Sequence, residues 1–305
     1  MSIARRHLAV LVALPLALTG CASASGADDG TVDVMASFYP LQFVAEQVGG
    51  DRVSVRSLTP PGAEPHDVEL SPAQVSRIDG ADLVVYLSGF QAAVDEALAQ
   101  TSPAHVVDAA TDTTLRPEEH KDESADEHED HDHGDVDPHF WLDPSRMPEV
   151  VEDVAATLTE IDPEGADTFA ANAAALTEQF ENLDATYATG LEQCDSRTFV
   201  TSHEAFGYLA DRYGLHQVGI SGLDPEAEPS PARLAAVEKI VRDEGVTTIF
   251  FETLVSPKVA ETLAADLGVD TAVLDPIEGL ADPDADYVTI ARDNLDALRM
   301  ALSCS

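Results

Sequence analysis

The sequence predicts an α/β protein built from two parallel-sheet lobes joined by one long rigid helix. Three observations carry this. Strand-like and helix-like stretches alternate through residues 31–110, and they alternate again through 197–303. Between them runs an Ala-rich stretch, Glu164 to about Gln193, with no proline and with no glycine between Gly165 and Gly190. Alternating β and α elements imply parallel strands, because each crossover helix returns the chain to the same end of the sheet.

In the first half, Val32 to Ser37 reads as a strand and Tyr39 to Val48 as a helix stopped by Gly49-Gly50. Val53 to Leu58 alternates again. Ser71-Pro72 is a helix start, with Ser as cap and Pro in the first turn. Asp82 to Leu87 reads as a buried strand, Gln91 to Gln100 as a helix, and His105 to Asp108 as a short strand. Residues 145–193 are helical in two pieces parted at Asp162-Pro163. The second piece, about 30 residues at 1.5 Å each, is a rod of roughly 45 Å. In the second half, Arg197 to Thr201, Val246 to Phe251 and Thr271 to Leu274 read as strands. Glu204 to Tyr213, Pro257 to Leu267 and Tyr287 to Leu302 read as helices, and His216 is assigned to a loop. The expected organisation is a leader over 1–20, a tether over 21–30, a first lobe over 31–162, a linking helix over 163–193 and a second lobe over 194–305.

Three segments stand outside this scheme. Arg5, Arg6 and His7 precede an apolar run, Leu8 to Leu18, that is too short to span a bilayer. The run ends in Leu18-Thr19-Gly20-Cys21, which resembles a bacterial lipobox and makes Cys21 the expected lipidation site, anchoring the chain without spanning. Residues 116–138 hold eleven Asp or Glu and four His (His120, His128, His131 and His133), with too little apolar surface to build a core, and are expected to form a mobile loop. The remaining cysteines, Cys194 and Cys304, suggest a disulfide in an exported domain, with two buried free thiols as the alternative. A formal net charge of −41 argues against nucleic acid and anionic membrane as partners and favours accumulation of cations.

Three histidines lie in telling contexts. His66 sits in a Pro- and Gly-rich loop after the strand ending near Leu58. His139 sits in Asp137-Pro138-His139-Phe140-Trp141, and His203 follows the strand Arg197 to Thr201. Asp275 follows the last strand. Ligands of open α/β sheets bind beyond the carboxyl ends of strands. Three imidazoles and a carboxylate make a first shell for a divalent transition metal, and Zn²⁺ favours four such ligands. No H-E-x-x-H is present, since the fourth residue after His203 is Gly207. A closed shell of four also leaves no position for a reactive water, so an enzyme is not expected.

The segments Gly62-Ala63-Glu64-Pro65-His66-Asp67-Val68-Glu69, Asp137 to Pro144 and Thr201 to Leu209 resemble the three His segments of the zinc-uptake substrate-binding proteins of ABC transporters. Phe250-Phe251-Glu252, Leu274-Asp275-Pro276 and the acidic His-rich insertion are similar to further parts of that family. The resemblance covers about residues 31–304. It implies two lobes with Zn²⁺ in the cleft between them, and a monomer that delivers zinc to an ABC permease from outside the membrane. It carries over His66, His139 and His203 as ligands and Asp275 as the carboxylate ligand, with Glu252 as an outer partner or alternative ligand. The His of the insertion become auxiliary, weak zinc ligands. Manganese-binding members resemble this chain but carry Glu at the position of His203. Imidazole suits Zn²⁺ and carboxylate suits Mn²⁺, so zinc is the expected ion. A Mn²⁺ carrier and a surface adhesin are the alternatives. Because zinc needs neutral imidazoles, affinity is expected to fall below about pH 6.

Overall fold

In the computed structural model, residues 30–111, 113, 115–117 and 136–305 are described. Cys21, the tether and His120, His128, His131 and His133 lie outside them. In chain order the first half runs β1 (Val32–Ala36), α1 (Tyr39–Gly49), β2 (Val53–Ser57), α2 (Pro72–Gly80), β3 (Leu83–Tyr86), α3 (Ala92–Gln100) and β4 (Val106–Asp108). A two-residue ribbon comes next, β5 (Arg116–Pro117) with β6 (Val136–Asp137), then α4 (Met147–Ile161) and α5 (Ala166–Gly190). The second half runs β7 (Thr198–Thr201), α6 (Gly207–Tyr213), β8 (His216–Gly219), α7 (Pro231–Glu244), β9 (Thr248–Phe251), α8 (Lys258–Leu267), β10 (Asp270–Val273) and α9 (Tyr287–Ala301).

Both four-stranded sheets are parallel, as the alternation implies. Their orders are β2-β1-β3-β4 and β10-β9-β7-β8. Taken from the other edge, the second is β8-β7-β9-β10, so the two lobes share one topology. In each, the first strand lies between the second and third. Connections leave such a switch point in opposite directions, and ligands of open α/β sheets bind beside it.

The local signals explain most elements. Ser71 caps α2 in a full capping box with Gln74, and Pro72 occupies the first turn. Ser230 and Asp286 also cap α7 and α9, each accepting from a backbone N–H three residues on. Gly214, Gly245 and Gly268 end α6, α7 and α8 in the left-handed conformation. Two expectations are corrected. His216 opens β8, whose Val218 is its buried apolar anchor; a strand this short and polar shows no period of its own. The acidic insertion does not begin as a loop, because Arg116 and Pro117 pair antiparallel with Asp137 and Val136.

α5 has 25 residues, about 38 Å at 1.5 Å each. Its buried stripe of Phe169, Leu176, Phe180, Leu183 and Tyr187 packs on α1 and α4 of the first half and α9 of the second. Phe43, Phe180 and Tyr287 form an aromatic knot across these helices, with Phe43 and Tyr287 stacked at 5.6 Å. One buried cluster thus runs from Val34 and Phe38 through Trp141 and Phe180 to Phe199, Phe250 and Leu298. Smaller clusters lie under α2 and α3, and under α7 and α8, on the outer faces of the two sheets. Residues Thr31–Ser305 form one compact unit as a result. Among the described residues no helix is long and apolar enough to cross a membrane.

Cys194 and Cys304 are joined by a disulfide across 110 residues of chain. A closed loop of that size restrains the unfolded chain by about 4–5 kcal/mol in the chain-entropy account. Replacing both cysteines by Ser should therefore lower the melting temperature by roughly 10 °C. A shift of a degree or less in a calorimetric scan would remove this role.

Candidate metal centre

Each candidate side chain is delivered by the end of a regular element. His66 lies in the loop after β2, where the Glu64 carboxylate accepts from the backbone N–H of His66 (2.9 Å) and of Asp67 (3.3 Å). Gln91 donates to the Pro65 carbonyl at 3.0 Å and fixes the loop from behind. His139 follows β6, and its turn is packed from inside by Phe140 and Trp141, both fully buried. His203 follows β7, and its carbonyl accepts from Thr201 Oγ1 and Gln217 Nε2.

These ends bring His66, His139, His203 and Glu278 together, with their candidate ligand atoms all within 4.8 Å of one another. One oxygen, Glu278 Oε1, faces three imidazole nitrogens: His139 Nε2 at 3.2 Å, His66 Nε2 at 3.4 Å and His203 Nε2 at 3.7 Å. His203 Nε2 lies 3.4 Å from His139 Nε2. Ligands held tetrahedrally about 2.0–2.1 Å from zinc stand roughly 3.3–3.4 Å apart. The four printed separations, 3.2–3.7 Å, are close to the edges of such a shell. His139 and His203 are fully buried, while His66 keeps 14% of its side chain exposed.

Two carboxylates stand behind the rings. His139 Nδ1 donates to Asp137 Oδ1 at 2.8 Å, and His203 Nδ1 donates to Glu252 Oε1 at 2.7 Å. With Nδ1 carrying the proton, Nε2 is left as the lone-pair nitrogen aimed at the centre. Asp137 is itself held by Arg116 Nη1 at 3.4 Å. A Cβ at Gly207 would lie 1.9 Å from Arg116 Nη1, so any side chain there would push the guanidinium from its place beside Asp137. Ser202 Oγ donates to the Glu252 oxygen that holds His203.

The electrostatics describe a site that holds protons when it holds no metal. Burial pulls the His203 imidazolium down, but Glu252 and Glu278 outweigh it and push the pKa up to about 10. His139 shifts the same way: burial opposes its charge, and Asp137 and Glu278 more than compensate. Burial alone would raise Glu278, yet the three imidazoles hold it well below the usual carboxylate range.

Asp275 is not among the four converging side chains. Its carboxylate accepts from Thr253 Oγ1 and from the Ile277 N–H, both at 2.7 Å, and the carboxylate that meets the three imidazoles is that of Glu278. An Asp beside a turn commonly bonds the N–H two residues on, which turns its oxygens away from the cleft. Glu278 escapes a reading by strand ends because it lies in the turn after β10. Its one sequence signal is an isolated acid within Ile277-Glu278-Gly279-Leu280. Glu252 sits behind His203 rather than among the converging atoms. His105 lies elsewhere, bonded to the Asp82 carbonyl.

A family model described as ZnuA, zinc-uptake complex component A, periplasmic, matches residues 34–301. The chain belongs to the ZnuA family. That family is a component of a transport complex rather than an enzyme. The chain is 35% identical over 304 residues to the high-affinity zinc uptake system protein ZnuA of Bacillus subtilis, covering 95% of this chain and 94% of that protein. It is 39% identical over 297 residues to the zinc-binding lipoprotein AdcA of Streptococcus pneumoniae, covering 93% of this chain. The chain spans 58% of the length of that AdcA. Among solved structures, the laminin-binding protein Lmb of Streptococcus agalactiae, described as bifunctional with adhesin and metal-transporting activity, matches with a TM-score of 0.79 and 34% identity. The match covers 89% of this chain and 99% of that one.

Proposed function

We propose that this ZnuA-family chain captures Zn²⁺ outside the cell and hands it to the permease of an ABC importer. The observation that carries the reading is the convergence of three imidazole Nε2 atoms and one Glu278 oxygen at spacings that suit tetrahedral zinc. In this reading His66, His139, His203 and Glu278 are the ligands, and Asp137 and Glu252 orient two of the rings. Cys21 carries the lipid that tethers the monomer to the membrane, and the His of the acidic insertion gather zinc weakly. Three nitrogens against one oxygen favour zinc over manganese. The core that runs through both lobes supports limited lobe motion, so release falls to the more exposed His66 loop.

The test is metal content and competition on residues 22–305. One zinc per chain that excess Mn²⁺ does not displace is the expected result. Manganese preference, or zinc held only by the acidic insertion, would overturn it. The description of Lmb raises adhesion as a second activity; binding to laminin that survives loss of all three His would establish it as separate.

A further inference from the structure

The turn that presents Glu278 contains a backbone outlier. Ile277 has φ of +58°, and Ser303 is the only other non-glycine residue with positive φ among those described. A β-branched residue rarely adopts this left-handed conformation, because its Cβ crowds the neighbouring carbonyl. Such strain persists only where the surroundings over-determine it. Here they do. The Ile277 N–H donates to Asp275 Oδ1 at 2.7 Å. The Asp275 N–H donates to Asn294 Oδ1 at 2.8 Å, and Asn294 Nδ2 donates back to the Asp275 carbonyl at 2.6 Å. Thr253 Oγ1 donates to Asp275 Oδ2, and Trp141 Nε1 donates to the Pro276 carbonyl, each at 2.7 Å. Five hydrogen bonds thus grip three consecutive residues, with partners on α9, on the loop after β9 and on the turn that carries His139. All but Thr253 are buried, and Ile277 itself is 1% exposed within the central core.

We infer that Asp275 is a positioning residue that, with Asn294 and Trp141, clamps Ile277 in the left-handed conformation and so sets the Glu278 carboxylate in place before the metal arrives. The inference rests on the zinc site proposed above. Trp141 lies two residues after His139, so one short turn aims an imidazole at the centre and grips the turn carrying the opposing carboxylate. A carboxylate set in this way gives the ion its fourth corner without reorganisation, which favours four-coordinate binding.

The experiment compares Asp275→Ala, Asp275→Asn and Glu278→Gln in the full chain. Its readouts are zinc affinity, by competition with a chelator, and the visible spectrum with cobalt bound. Glu278→Gln should weaken zinc binding. Asp275→Ala should weaken it about 10–100-fold, the usual cost of losing an outer partner, and dim the intense tetrahedral cobalt bands. Asp275→Asn keeps an acceptor for the Ile277 N–H and should restore most of both. Equal losses in the Ala and Asn variants would make Asp275 a ligand and overturn the inference. Parent-like behaviour of Asp275→Ala beside a weakened Glu278→Gln would overturn the clamp alone. An unchanged Glu278→Gln would overturn the site reading and the clamp with it. Should Asp275→Ala fail to fold, the metal-free melting temperatures of Ile277→Gly and Ile277→Ala decide. Gly should melt above Ala, because only Gly is free of strain at positive φ; Ala above Gly would overturn the strain.

Discussion

Replacing His203 by Ala should weaken zinc binding by more than the roughly 10–100-fold that loss of an outer partner costs, because the proposed site loses a direct ligand. The same change should destabilise the metal-free protein. His203 stands between Glu252 and Glu278, which are 4% and 1% exposed and favour its charged form. Stranding a buried charge by removing its partner costs about 3–5 kcal/mol. The variant should therefore melt several degrees lower without metal. Chelator competition and melting of the metal-free form check both parts. Parent-like zinc affinity in His203→Ala would remove this histidine from the metal shell.

Zinc binding should release protons at neutral pH, and affinity should keep rising well above the pH 6 expected of an ordinary histidine. The His203 pKa of about 10 in the fold stands against about 6.5 in an unfolded chain. A raised pKa stabilises the metal-free fold fully below about pH 6.5, and that contribution is lost as pH rises through about 10. Glu278 behaves in the opposite sense. Its depressed pKa contributes stability above the ordinary carboxylate range that is lost in acid. Zinc takes the place of the His203 proton, so the zinc-loaded protein should not share the loss at high pH. One displaced proton makes affinity climb about tenfold per pH unit through this window. Calorimetry in buffers of different ionisation enthalpy would count the protons. A count of zero at pH 7.5, with affinity flat from pH 7 to 9, would contradict the exchange of proton for metal at His203.

Sequence and structure divide the rest between them along a physical line. Alternation of period-two and helical stretches is a local property, so β1, α1, β3 and α5 are legible to within a few residues. His66 and His203 are legible for a related reason. Each comes after a recognisable strand, and parallel strands place their carboxyl ends on one side of a sheet. His139 stands out through its nearby prolines, Pro138 and Pro144, and through Phe140 and Trp141. Even the pairing of Cys194 with Cys304 is accessible from compartment and count.

The course of the chain beyond a strand is decided by contacts that no local pattern contains. Asp275 and Glu278 are three residues apart in one turn, and composition does not choose between them. The choice is made by Asn294, Thr253 and Trp141, which lie 19, 22 and 135 residues away from their partners in that turn. They hold Asp275 against the core and swing Glu278 into the cleft. The shared strand order of the two lobes is hidden in the same way, because β8 is too short and polar to show a period and exists by pairing with β7. Local pattern alone identifies the α/β class, the long helix and the three histidines. Which carboxylate meets the three imidazoles is a matter of the fold, because hydrogen bonds from distant elements aim a side chain in a turn.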